Sequence, residues 1–275
     1  MRANQINYNP FYVSLVITLL WVSRVNYELK EKFLRLWEEY FDDAELPIVF
    51  YYSDEERISE NDPSSTEQCL IANLVRVRGG TPLRFGSESI SCPGGRRYVG
   101  FSETLATNFE YFLSCGIPGV LEGERYKKSP ELVREVLKSY PAFKAPKKFI
   151  VFKRWDHIDE SDEPEVVIFF AKPDVLSGLF MLANFDEVED GVRTPFGSGC
   201  SSIVMQPYLE KDSETPSSVV GMFDLSARPH VQSDMLTFEA PMTKFARMIE
   251  NMSESFLITP TWEKIKQRIR KSESG

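Results

Sequence analysis

The stretch 166–184, VVIFFAKPDVLSGLFMLAN, decides the fold. Val166 to Phe170 is a short, unbroken apolar run that reads as a strand. Pro173-Asp174 then opens a helix reaching about Asn184, with Pro at the first helical position and a carboxylate in the first turn. A strand passing directly into a helix is the unit of layered α/β proteins. The same grammar runs outward in both directions. Upstream, Leu29, Phe33, Leu36, Trp37 and Tyr40 share one face of a predicted helix with Asn26 as its cap, and Leu46 to Tyr52 reads as a buried strand. Ser64-Ser65-Thr66-Glu67 signals the start of a helix that carries Cys69 and ends at Gly79-Gly80. Ser91-Cys92-Pro93-Gly94-Gly95 reads as a turn, and an apolar stretch from Glu103 to Cys115 reads as a helix stopping at Gly116. Ser129-Pro130-Glu131 starts another helix, and Lys148 to Lys153 is a strand. Downstream, a short strand is expected at Gly191 to Pro195 and further strands at Val219 to Phe223 and Met235 to Ala240. Helices Pro241 to Met252 and Pro260 to Lys271 follow. The expectation is an α/β chain of the mixed α+β kind: a single layered domain, residues 25–271, with a mixed sheet flanked by helices.

The composition agrees with an ordinary globular core. Of 275 residues, 42% are hydrophobic and 13% aromatic, enough for one sizeable domain. A net charge of −9 argues against broad attraction to nucleic acid or an anionic membrane. The five cations of the last helix, Lys264, Lys266, Arg268, Arg270 and Lys271, suit the negative end of its dipole and need no partner. A small anionic molecule or a protein is the expected partner. Six carboxylates between Asp156 and Glu165 lack the spacing of a calcium loop and read as a solvated loop.

Residues 1–24 form a doubtful leader. Phe11 to Val22 is apolar for too short a length to span a bilayer, which needs about 20 residues. It has the length of a signal-peptide core, but no small-x-small cleavage site follows. Three readings stand: a start site assigned upstream of Val25, a signal-like segment or anchor, and an additional core element. Four cysteines, Cys69, Cys92, Cys115 and Cys200, contain no C-x-x-C pair and are too sparse for a disulfide scaffold, so a reducing, cytoplasmic location is expected.

The candidate site is Pro195-Phe196-Gly197-Ser198-Gly199-Cys200-Ser201-Ser202. It sets a thiol between close glycines and hydroxyls, and glycines permit a sharp turn and close approach to a ligand. Gly197, Ser198, Gly199, Cys200 and Ser201 are the expected binding residues for a small anionic ligand or cofactor, with Arg228, Arg193 or the Arg96-Arg97 pair supplying charge. The loop lacks the lysine of a P-loop and the G-x-G-x-x-G spacing of a dinucleotide site. Two other chemistries compete. Cys200 is a candidate nucleophile, served by His230 and Asp224 if folding brings them together; His157, in the acidic segment, is the other histidine. Alternatively Cys69, Cys92 and Cys200, with Cys115 or a histidine as fourth ligand, hold an iron–sulfur cluster or a metal. A non-catalytic partner subunit is the remaining reading.

Five segments taken together, namely Cys69, Ser91 to Gly95, Phe196 to Ile203, Gly221 to Pro229 (GMFDLSARP) and Leu236-Thr237-Phe238, resemble an archaeal and bacterial family, the domain of unknown function numbered 169. The resemblance runs from about Asn26 to Ile269 and leaves out the apolar leader, in keeping with a start near Val25. It implies cysteines at the positions of Cys69, Cys92 and Cys200 and makes Cys115 the less typical one. It implies positions rather than a reaction.

Overall fold

The computed structural model describes residues 28–56, 69–140 and 143–273. The leader, the Asn26 cap and the Ser64 to Glu67 capping box lie outside the described residues. The chain is built around an open seven-stranded sheet with the order β2-β3-β1-β4-β7-β6-β5. The strands are β1 Ile48–Ser53, β2 Leu83–Phe85, β3 Phe149–Arg154, β4 Val166–Ala171, β5 Val192–Arg193, β6 Ser218–Gly221 and β7 Leu236–Pro241. Every pairing is antiparallel except β5 with β6, so the sheet is mixed and the class is α+β, as expected.

β4 lies at the centre, between β1 and β7, and it shows why an unbroken apolar run is needed there. Val166, Ile168 and Phe170 enter one core; Val167, Phe169 and Ala171 enter the other. Side chains alternate across a strand, so a strand covered on both faces has no position free for a polar residue. One face is covered by α1 (residues 28–41), α6 (Pro173–Ala183), α8 (Met242–Asn251) and α9 (Pro260–Glu273). Phe33, Leu36, Trp37 and Phe41 of α1 are buried there, with Phe33 packed edge-on against Trp155 and Phe245. α1 is also tied to α9: Trp262 Nε1 donates to Tyr40 O at 2.8 Å, Lys266 Nζ to Glu39 O at 2.6 Å, and Arg270 pairs with Asp42. Gly178 lets α6 approach both partners. A methyl group there would lie 2.4 Å from the Trp262 ring and 2.8 Å from Phe41.

The opposite face carries α2 (Leu70–Arg78), α3 (Pro93–Tyr98) and α7 (residues 199–209). α7 is π-helical over Ser201–Met205 and α-helical over Gln206–Leu209. Its cause is local. Pro207 has no N–H and crowds the preceding turn, and Gln206 N–H reaches back to Ser201 O in an i→i+5 bond. Two further helices, α4 (Phe109–Phe112) and α5 (Pro130–Ser139), stand outside this layer. Ser129 Oγ caps α5 by accepting from Leu132 N–H.

Several expectations change. The Ser91 to Gly95 turn is the start of α3, with Cys92 at its cap, and Cys69 sits at the cap of α2 rather than within it. The helix expected from Glu103 shrinks to α4, because Asn108 adopts φ +61° just before it. The acidic segment is not wholly solvated: Asp162 is buried and accepts from Lys153 Nζ at 2.7 Å and from the Tyr51 hydroxyl. Among the described residues no helix is long and apolar enough to cross a membrane.

Candidate functional site

The glycine-cysteine segment does not end as a loop; it turns into α7. Ser198 caps the helix, its Oγ accepting from Ser201 N–H at 3.2 Å and its carbonyl from Ser202 N–H at 3.1 Å. Gly199 is needed for close approach. A methyl group on it would lie 2.9 Å from Ala227 Cβ and 3.3 Å from Met222 Sδ, in the segment after β6. That segment also returns Asp224, whose Oδ2 accepts from Gly199 N–H at 2.9 Å. The seat that the glycine loop offers to an anion is therefore taken by the chain's own carboxylate.

Cys200 faces inward. It is 6% exposed among the apolar residues of this layer, and burial pushes its thiol well above the ordinary range. Ionisation of Cys92, Cys69 or Asp224 nearby pushes it further in the same direction. Cys92 comes close from α3, its Sγ accepting from Gly95 N–H at 3.0 Å. The two sulfurs flank Gly95: a methyl group there would lie 2.8 Å from Cys92 Sγ and 3.8 Å from Cys200 Sγ. Burial also raises the Cys92 thiol, opposed first by that Gly95 N–H. Cys69, Cys92 and Cys200 thus line one cavity, from three separate elements.

This cavity has a volume of about 750 Å³. One wall is the layered body: the three cysteines, Tyr98, residues 195–201 and residues 223–227. The other wall is the segment 106–140, including Phe109, Leu113, Tyr126 and Lys127 and the inner face of α5, where Val133, Val136, Leu137 and Tyr140 follow helical spacing. Most of the lining is apolar. Its charged side chains are Glu124, Lys127 and Asp224, and Lys127 Nζ stands 3.8 Å over the ring of Phe196. Burial raises the Tyr126 hydroxyl, Asp224 and Glu124 push it further the same way, and hydrogen bonding to Ser226 opposes them.

The predicted residues divide clearly. Gly197, Ser198, Gly199, Cys200 and Ser201 line the cavity. Arg228 does not: its guanidinium donates to Met235 O at 2.6 Å, Ser233 O at 3.0 Å and Gln232 O at 3.2 Å, fastening the turn before β7. Arg193 pairs with Glu210, and Arg97 donates to Glu103 O at 2.6 Å. His230 lies exposed in the turn Arg228–His230 and is not part of the lining, so Asp224 approaches Cys200 without an imidazole between them. His157 is beside Asp156, and Cys115 is exposed; neither lines the cavity. Among the described residues no group of three His, Cys, Asp or Glu side chains is arranged to hold a metal ion. Lys127, Tyr126 and the α5 face were not singled out in the sequence. The signal was an amphipathic helix whose apolar stripe is only partly covered.

These surroundings reverse the expected reactivity. In the native protein at pH 7.5, iodoacetamide is expected to label exposed Cys115 and Cys92 at least tenfold faster than Cys200, since the thiolate is the nucleophile and a buried, raised thiol supplies little of it. Peptide mapping by mass spectrometry checks the order; Cys200 labelled first would show a second, open state of α7.

The family model described as DUF169, uncharacterised ArCR, matches residues 42–251, more than half of the chain. The chain belongs to this family. The domain of unknown function 169 therefore covers the sheet, α2 to α8 and both walls of the cavity, and leaves α1 and α9 outside the matched stretch. Comparisons with curated proteins and with solved structures find no match.

Proposed function

We propose that the chain binds a small molecule with a mainly apolar body and one anionic group in the cavity between the layered body and segment 106–140. The carrying observation is the lining itself: about 750 Å³ bounded by aromatic and aliphatic side chains, with Lys127 as its cation. Ligand pockets commonly enclose about 300–1,000 Å³ and use a few polar groups to orient an apolar ligand. Because Asp224 occupies the Gly199 amide, the anionic group is assigned to Lys127, and residues 197–201 serve as wall rather than anion nest. The body lies against Phe109, Leu113 and the α5 face. Glu124 and Asp224 repel a second negative charge, which favours monoanions. A cytoplasmic setting is part of this reading, since the four cysteines are free.

A thiol-dependent role for Cys92 is the second reading, favoured by its exposure on the cavity wall and its nearness to Cys200. The test uses calorimetry with paired aromatic or aliphatic carboxylates and their neutral amides. The carboxylates are expected to bind, and Lys127→Ala to weaken them about tenfold, as loss of a charge-assisted contact does. Equal affinity for acid and amide, or binding unaffected by Lys127→Ala, would overturn the assignment.

A further inference from the structure

Cys92 and Cys200 border one small space that Gly95 keeps open. Cys92 caps α3 and is exposed; Cys200 lies in the first turn of α7 and is buried. A methyl group on Gly95 would stand 2.8 Å from Cys92 Sγ, 2.9 Å from Ile90 Cγ2 and 3.8 Å from Cys200 Sγ. Both sulfurs thus reach the volume that a single side-chain carbon would fill. Cys69 lines the same cavity, but its sulfur lies farther from that point than the sulfur of Cys200 does. Cys92 is also the strongest electrostatic neighbour of Cys200, ahead of Cys69 and Asp224.

The two thiols differ in access, and the difference assigns their roles. Cys92 meets solvent in the cavity wall, and its Sγ accepts from Gly95 N–H at 3.0 Å, a donor that steadies a thiolate. Cys200 is shielded from solvent but not from Cys92. Thiol oxidation follows exposure and thiolate character, and a sulfenic acid that finds a second thiol beside it condenses to a disulfide. An exposed thiol that attacks and a buried one bordering the same space supply both steps.

We propose that Cys92 and Cys200 form a hydroperoxide-oxidised thiol pair, Cys92 attacking and Cys200 resolving, which deepens the thiol reading of Cys92 given above and is independent of ligand binding at Lys127. The Cys92 thiolate attacks one oxygen of the hydroperoxide: the S–O bond forms, the O–O bond breaks, and the departing alkoxide, or hydroxide from hydrogen peroxide, takes up a proton. The Cys200 sulfur then attacks the Cys92 sulfenic acid: the S–S bond forms, the S–O bond breaks, and the hydroxyl leaves as water with the Cys200 proton. Two thiols lose two electrons, and the peroxide gains them. Rotation of the two side chains brings the sulfurs to about 2.05 Å and ties α3 to α7 in the cavity wall. Because burial raises both thiols, the reaction is slow at neutral pH and quickens as pH rises.

The experiment treats the full chain with hydrogen peroxide between pH 7 and 8.5, blocks remaining thiols with N-ethylmaleimide under denaturation, and maps the unreduced peptides by mass spectrometry. A Cys92–Cys200 link is expected as the dominant product, its rate rising about tenfold per pH unit while Cys92 is mostly protonated. In Cys200→Ser the link should vanish and dimedone should trap Cys92 as a sulfenic acid. Gly95→Ala, which fills the shared space and keeps both thiols, should slow the link about tenfold. If Cys200→Ser does not fold, the wild-type map and Gly95→Ala decide. A Cys92–Cys69 link, or a Cys92 sulfenic acid that persists in the wild-type chain, would overturn the pair and leave a thiol role for Cys92 standing. Free thiols at peroxide excess would sink both.

Discussion

A chain cut to the family-matched stretch, residues 42–251, is expected not to fold. It loses Phe33, Leu36, Trp37 and Phe41 of α1, together with Leu257, Trp262 and Ile269 near and within α9, all buried. At roughly 1.5–3 kcal/mol per fully buried side chain, the loss is on the order of 10–20 kcal/mol. Total stability of a domain is about 5–15 kcal/mol. The cut also uncovers Phe169 and Phe245, which packed against Phe33. Circular dichroism and size-exclusion chromatography check the outcome: a cooperative, monomeric 42–251 fragment would show that the face under α1 and α9 contributes far less than its burial indicates.

The second large effect is expected from Glu187→Ala. Lys244 is 1% exposed, and its ammonium donates to Glu187 Oε1 at 2.6 Å; Arg247 meets the same oxygen. Removing the carboxylate strands Lys244 in the core, and breaking one side of a buried pair costs about 3–5 kcal/mol. The unfolding temperature is expected to fall by roughly 10 °C for a chain of this size. The double variant Glu187→Ala/Lys244→Met should recover most of that loss, because no charge remains buried. A drop of under about 1 kcal/mol in Glu187→Ala would mean that Lys244 finds water or another acceptor. The pair also sets a pH dependence. The Lys244 hydrogen bond holds the Glu187 carboxyl below the usual range, so the unfolded chain binds the proton more tightly. This stability is present above about pH 4–5, where an unfolded glutamate ionises, and is lost as pH falls through the lowered folded value.

The central strand and the major helices were legible because burial on both faces leaves a strong mark: Val166 to Phe170 admits no polar residue, and α1 and α6 repeat at helical spacing. What escaped was short or depended on distant partners. β2 has only three residues, with Arg84 in the middle, and it pairs with a strand more than sixty positions away. α7 looked like loop because it begins with glycines and contains Pro207, and its π-helical turn follows no regular apolar period. Cys69, Cys92 and Cys200 line one cavity, yet Cys200 is turned inward, a matter of orientation that spacing does not encode. Arg228 was legible as a cation but not as a fastener of carbonyls, since its acceptors are main-chain atoms carrying no sequence signature.

The bond between α1 and α9 has a consequence for synthesis. Trp262, Lys266 and Arg270 seat a helix made more than two hundred residues earlier. At about 5–20 residues per second, the ribosome leaves the aromatic stripe of α1 uncovered for tens of seconds before its cover exists. The first helix of the fold is thus among the last to be sealed, and in that interval the nascent chain presents Phe33, Trp37 and Phe41 to whatever chaperone or neighbouring chain it meets.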